Sequence, residues 1–284
     1  MYGASYGCAL LTLLGTKMLA NGYNIQGLYL ESPFMDQRIF AKKLPEQLRD
    51  FHLQAGPGLK KWSAHAKTCL SNMENQSTRK FTYQDAEFCD QMYSEPLKNQ
   101  SGVELVNGTD MRCSQKSFLD SYLSRGVALW QSGKIFFSKT ESENTRKVFG
   151  ANRQALALNM NVYQNLLYNT FTENFDQFVG ELLEKQIPIS ITVGNWDIMC
   201  NHRVTETWLA KLSFFRGCNG AQGCEPREFD DREWSYDEFG KFKDWGLLRY
   251  EVVEEAGHII GLQTPKVSYE KLRDLVEVYQ TVKQ

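Results

Sequence analysis

The chain has 284 residues, 42% apolar and 13% aromatic, and its 32 Lys+Arg nearly balance 34 Asp+Glu to leave a formal charge of −2. That length and apolar fraction suit one large folded domain or two small ones, and they exclude disorder as the main state. With no basic stretch and a slightly acidic balance no nucleic-acid partner is expected, and no apolar run nears the ~18 residues of a membrane span.

In chain order, Cys8 to Ala20 reads as a Leu-rich helix with Gly22 just past its end as a C-cap. Ile25 to Leu30 reads as a short strand ended by Pro33. From about Asp36 to Thr172 the chain turns polar and helix-prone, with little strand alternation. Within that stretch Ser117 to Trp130 has apolar positions at helical spacing. Phe175 to Glu184 reads as an amphipathic helix with Phe178, Leu182 and Leu183 on one face. Ile187 to Val193 is a β-branched run suited to a buried strand. Thr205 to Leu212 reads as helical, Tyr236 to Asp244 as a polar aromatic loop, and Leu248 to Val253 as a strand. Ser268 to Val282 closes the chain as an amphipathic helix, with Ser268 as N-cap and Leu272, Leu275, Val276 and Tyr279 facing inward. Strand–helix alternation at both ends predicts an α/β layered core. The expected division is 1–36 for the first part of the core, 37–172 for a helical cap insertion and 173–284 for the second part.

The cysteines are Cys8, Cys69, Cys89, Cys113, Cys200, Cys218 and Cys224, and no two form a CxxC pair. A zinc ribbon or thioredoxin motif therefore has no support, and the odd count leaves at least one thiol outside any internal pairing. Cys218 and Cys224 flank a short loop that could close as a local disulfide. Acceptor sequons stand at Asn75, Asn99 and Asn107, clustered in polar, cysteine-containing sequence. Together they favour glycosylation in a secretory, lysosomal or vacuolar, or extracellular compartment, although the first residues do not read as a signal peptide.

Residues 3–7 read Gly3-Ala-Ser5-Tyr-Gly7, a G-x-S-x-G pattern followed at once by a helix. In α/β hydrolases this spacing makes a sharp strand-to-helix turn that exposes the serine Oγ. Small flanking residues avoid a Cβ clash, and the amide of the next residue, here Tyr6, faces the developing oxyanion. A serine hydroxyl needs an imidazole to accept its proton, and a carboxylate to hold that imidazole in the right tautomer. The order Ser, Asp after a late strand, then His before the last helix is met by Ser5, Asp197 after Ile187–Val193, and His258 after Leu248–Val253. His52 and His65 lie in the predicted cap, where a surface role is expected, and His202 begins a helix. Asp36 also follows a strand and could serve as a triad acid in some hydrolases, but turn chemistry explains it as well. The acidic loop Glu228 to Glu238 reads as a solvated surface rather than a metal site.

Three separated motifs resemble the serine carboxypeptidases, an α/β-hydrolase family of peptidases that also includes plant acyltransferases. GASYG resembles the nucleophile elbow, ITVGNWDIMCNHRVTETWLAKL the segment carrying the triad acid, and EEAGHIIGLQTP the histidine loop. VNGTDMRC, residues 106–113, resembles the lead into a cap cysteine. The resemblance implies an α/β-hydrolase fold with a mostly parallel sheet and a helical cap. It also implies a serine-type carboxypeptidase acting on peptides through Ser5, His258 and Asp197, with Tyr6 supplying an oxyanion amide. Cys200 would border the substrate pocket and could confer mercurial sensitivity, although burial as a small core residue is the expectation from its chemistry. Ile259 stands where the family has methionine.

Ala4 stands where the family has a glutamate that helps bind the substrate's terminal carboxylate, which favours a substrate lacking that group. Acyl transfer to an alcohol, or an inactive non-enzymatic homologue, are the alternatives. The family's upstream strands, including the one leading into the elbow, are expected to be missing, so the sequence reads as N-terminally truncated. The mechanism calls for no metal or organic cofactor. The oligomeric state is not legible.

Overall fold

The computed structural model describes residues 1–50, 54–74, 79–98, 160–197, 199–212, 214, 229–258, 260–271 and 273. Among them one sheet contains β1 (Tyr2–Ala4), β2 (Leu28–Glu31), β3 (Ile189–Gly194), β4 (Ser235–Asp237), β5 (Gly240–Asp244) and β6 (Leu248–Val253). Their spatial order is β1-β2-β3-β6-β5-β4. The first four in that order are parallel, and β6, β5 and β4 follow as an antiparallel meander. Parallel strands linked by helical crossovers need both faces covered, and β2 and β3 are buried along their whole length. This is the mostly parallel α/β sheet that the sequence predicts.

The helices are α1 (Tyr6–Ala20), α2 (Gln37–Asp50), α3 (Gly56–Glu74), α4 (Tyr83–Lys98), α5 (Met160–Thr172), α6 (Asp176–Glu184), α7 (His202–Leu209) and the single turn α8 (Ile260–Gln263). α1 ends as the sequence predicts: Gly22 takes φ +79°, its N–H bonds Leu19 O at 3.0 Å, and Tyr23 N–H bonds Met18 O at 3.0 Å. This Schellman closure satisfies carbonyls that the helix end leaves orphaned. α1 packs on α6 at Gly15, where an added Cβ would already touch the Leu182 methyls at 3.4 Å. α6 buries Val179, Leu182 and Leu183 and half-buries Phe178. Each such buried aliphatic side chain contributes on the order of 1.5–3 kcal/mol.

Helices α2, α3, α4 and α5 pack in succession, and α7 leans on α2. Asp36 accepts the N–H groups of Arg38 and Ile39 at 2.8 and 3.2 Å, so it caps α2 rather than serving as the triad acid. Thr82 and Asp85 exchange reciprocal side-chain bonds at the start of α4, a capping box. Cys69 on α3 and Cys89 on α4 form a disulfide.

Several elements differ from the sequence reading. β2 starts at Leu28 rather than Ile25, because its ladder partner begins at Ile189, beyond Pro188. The strand leading into the serine turn, expected to be missing, is present as β1 and pairs with β2 from Tyr2↔Tyr29 to Ala4↔Glu31. α7 starts at His202, as expected of that residue, with the Asn201 side chain capping it by accepting Arg203 N–H at 2.9 Å, but it ends at Leu209 rather than Leu212. The predicted loop Tyr236–Asp244 is instead the β4–β5 hairpin: Asp237 Oδ1 accepts Phe239 and Gly240 N–H, and Gly240 crosses at φ +151°, where a Cβ would strike Val252 O. Ser268 is not an N-cap. Residues 265–271 are already helical, led by Pro265, whose fixed φ suits a first helical position. His65 is not on the surface but half-buried, stacked on Phe88, with its Nε2 against Phe88 O at 2.8 Å.

Ser117–Trp130, the three sequons, His52, the Cys218–Cys224 pair, Ile259 and Leu272, Leu275, Val276 and Tyr279 lie outside the described residues, as does part of the 228–238 loop.

Candidate active site

β1 runs straight into α1 with Ser5 as the joint, and the turn is tight enough to force Ser5 to φ 53°, ψ −128°. A non-glycine residue at positive φ costs about 1–3 kcal/mol and persists only where its surroundings hold it. Here Ser5 N–H bonds Glu31 O at 2.9 Å, and Ser5 O accepts Cys8 N–H at 3.0 Å and Phe34 N–H at 3.3 Å. Gly3 sits closely packed as well: a Cβ there would meet Gly7 O at 3.0 Å and Leu11 at 3.1 Å, so its neighbours would have to give way. Ser5 does not cap α1 with its side chain. Its Oγ instead points at His258.

The three side chains named from the sequence come together. His258 Nε2 lies 2.9 Å from Ser5 Oγ, and His258 Nδ1 lies 2.9 Å from Asp197 Oδ2. The chain separations are 253 and 61 residues, so the sheet makes this meeting. Asp197 follows β3 and His258 follows β6, which pair in register up to Gly194↔Val253. Beyond the ladder, Trp196 N–H bonds Ala256 O at 2.9 Å and ties the two loops together. Gly194 makes that approach possible, since a Cβ on it would lie 2.2 Å from Ala256 O.

Asp197 is 1% exposed, and its Oδ1 accepts the N–H groups of Met199 and Cys200 at 2.9 and 3.0 Å. Burial alone would push its carboxyl up, but the His258 charge and hydrogen bond, with the Cys200 amide, hold it below the usual range. For His258, whose side chain is 13% exposed, burial alone would lower the imidazole pKa. The Asp197 charge and hydrogen bond outweigh burial, with a further contribution from the Glu31 charge, and the pKa stands above its ordinary value. The arrangement can take a proton from the hydroxyl, hold it on the imidazole and return it.

Tyr6 opens α1, so its backbone amide belongs to the first turn, whose N–H groups have no intrahelical acceptor. Its ring meets Phe34 and Phe175 edge-on at 6.1 and 6.0 Å. Ala4 is exposed at the end of β1.

Cys200 is 2% exposed beside the triad-like cluster, and burial followed by the Asp197 charge pushes its thiol well up. The donor atoms of Asp197, Cys200 and His258 fall within 4.8 Å of one another, the one such grouping among the described residues. Both imidazole nitrogens are already committed and the thiol is held protonated, so these donors suit proton transfer better than a cation.

His202, set aside in the sequence reading, lies in α7, and burial, followed by Lys241 and Arg203, pushes it down to about 4. One group was missed. Glu31, at the end of β2, is 3% exposed; its Oε1 accepts Ile260 N–H and its Oε2 accepts Tyr2 O–H, both at 3.0 Å. The only sequence signal is a carboxylate ending the apolar run Leu28-Tyr-Leu30.

Comparison with known proteins bears on the family and the fold. The serine carboxypeptidase family model matches residues 2–277. A serine carboxypeptidase-like protein of Oryza sativa subsp. japonica is 28% identical over 120 residues, 42% of this chain and 27% of the relative. A vacuolar serine-type carboxypeptidase of Saccharomyces cerevisiae is 26% identical over 102 residues, 36% of this chain and 20% of the relative. The solved structure of a prohormone-processing carboxypeptidase from Saccharomyces cerevisiae superimposes with a TM-score of 0.69 at 19% identity, covering 99% of this chain and 61% of that one. The chain thus spans only part of the length of the proteins it resembles. No helix among the described residues is long and apolar enough to cross a membrane.

Proposed function

The chain belongs to the serine carboxypeptidase family, and on that footing we propose that it carries the site of a serine-type carboxypeptidase that cleaves C-terminal peptide bonds through an acyl-enzyme. The observation that carries this reading is the continuous relay Ser5 Oγ–His258–Asp197, with both links at 2.9 Å. His258 accepts the Ser5 proton as Oγ adds to the peptide carbonyl, then donates it to the leaving amine; water repeats the cycle in reverse and frees the acid. Asp197 holds the Nδ1–H tautomer and stabilises the imidazolium. Tyr6 N–H faces the oxyanion, and the ring cluster of Tyr6, Phe34 and Phe175 offers an apolar wall beside the serine. Only neutral His258 is a base, so activity falls as pH drops through its raised pKa. The relay calls for no metal or organic cofactor.

The helices within 37–172 form a cap over this site in our reading, and a secretory or vacuolar compartment accords with the Cys69–Cys89 disulfide. A second reading, acyl transfer to an alcohol, draws on Ala4, which offers a substrate carboxylate no hydrogen bond. Release of the C-terminal residue from a blocked dipeptide, against ester exchange with an added alcohol, separates the two. The test of the site is Ser5→Ala. Labelling by a fluorophosphonate is expected in the parent and abolished in the variant; labelling that survives removes Ser5 from the mechanism.

A further inference from the structure

Among the buried carboxylates that the mechanism leaves unused, Glu31 touches both the serine turn and the histidine loop. Glu31 ends β2 at 3% exposure, and among the described residues no cation pairs with it. Burying a carboxylate is costly unless its oxygens are satisfied. Glu31 answers with two neutral donors: Tyr2 O–H on Oε2 and Ile260 N–H on Oε1, each at 3.0 Å. An ionised carboxylate is the acceptor-only group that takes both donors at once. Ile260 lies two residues past His258 and opens α8. The Glu31 backbone meanwhile takes Ser5 N–H at 2.9 Å and the Cys8 thiol at 3.3 Å. One residue therefore holds the serine turn through its main chain and the histidine loop through its side chain.

We propose that Glu31 is a positioning residue for the relay, its carboxylate fixing the loop that carries His258 and giving the imidazole a second negative neighbour besides Asp197. This rests on the hydrolase reading of the site. The direction of the His258 shift agrees: burial lowers it, Asp197 raises it most, and Glu31 raises it further. The titratable groups around the pair are Tyr2 on β1, Cys8 on α1, Tyr29 on β2, Asp197 and Cys200 in the β3–α7 loop, and, across Tyr29, Glu251 on β6. Glu251 is already paired with Arg249 and Lys271.

The test is an NMR titration of the His258 imidazole in the full chain, assigned against His258→Asn, for the parent, Glu31→Gln and Tyr2→Phe. Glu31→Gln removes the charge and is expected to lower the His258 midpoint by about half a pH unit or more. Tyr2→Phe removes a donor that partly neutralises the carboxylate, so the midpoint is expected to rise. A loop merely loosened by either substitution would not shift the two in opposite directions. An unmoved midpoint in Glu31→Gln overturns the proposal; should that variant not fold, an unmoved or lowered midpoint in Tyr2→Phe overturns it alone. The titration needs no turnover, so a parent that takes no fluorophosphonate counts against the hydrolase reading and not against Glu31.

Discussion

Asp197→Asn tests the relay more severely than removal of the serine, because it changes almost no volume. Asp197 Oδ1 accepts two backbone N–H groups, from Met199 and Cys200, at 2.9 and 3.0 Å. In the variant the amide oxygen must stay in that position, since an NH2 there would face two donors and leave both amides, the Cys200 one buried, without their acceptor. The amide NH2 then faces His258 Nδ1, which lies 2.9 Å from Oδ2 in the parent. Two donors cannot share that line, so Nδ1 must be bare and the ring proton must sit on Nε2. Nε2–H then donates to Ser5 Oγ and can no longer accept from it. The hydroxyl loses its base and the imidazolium loses its counter-charge. A wrong tautomer of this kind costs about 10⁴ in rate, or roughly 5.5 kcal/mol of transition-state stabilisation. The assay is the second-order rate constant of fluorophosphonate labelling, with far-UV circular dichroism confirming the fold. A folded variant labelled within tenfold of the parent would refute this tautomer argument.

Two other perturbations follow from the geometry. Gly194→Ala places a Cβ 2.2 Å from Ala256 O, so the loop bearing His258 must move away from the one bearing Asp197. A displacement of about 1 Å costs about 10²-fold in rate; labelling at the parental rate would show that the two loops do not depend on that close approach. Replacing Cys69 and Cys89 together by serine releases a cross-link between positions 20 residues apart. Loop-closure entropy puts that loss at about 3 kcal/mol, read as a lower urea midpoint, and an unchanged midpoint would mean that α3–α4 packing alone fixes this pair.

The site was more legible than its support. Ser5, Asp197 and His258 are legible because the chemistry restricts residue type, the turn crowds the position of Gly3, and the fold restricts order. Glu31 is not legible, because its partners are a backbone amide and a phenol far along the chain, and neither leaves a local pattern. The Cys69–Cys89 bond was hidden among seven cysteines, whose spacing along the chain suggested only the local pair Cys218–Cys224. The β4–β5 hairpin was missed because its strands lie at the far edge of the sheet: β4 is exposed at all three positions and carries no apolar alternation. Its real signal was the turn chemistry of Asp237 and Gly240. The start of α7 at His202 was legible, and Asn201, a residue type that favours N-caps, is its physical cause.

The missed carboxylate belongs to β2. That strand is only four residues long, yet it lies between β1, which delivers Ser5, and β3, which delivers Asp197. Its register with β3 runs from Leu28↔Ile189 to Glu31↔Thr192, and Ser32 N–H extends it by bonding Thr192 O at 2.8 Å. Because side chains alternate along a strand, a slip of one residue would exchange Glu31 for Leu30 at the face that meets Tyr2 and Ile260. An apolar side chain there would orphan both donors. The hydrophobic pattern of β2, buried at every position, does not by itself choose between those registers. The polar contacts of Glu31 do, so the group that steadies the histidine loop is also one that makes the correct register the favourable one.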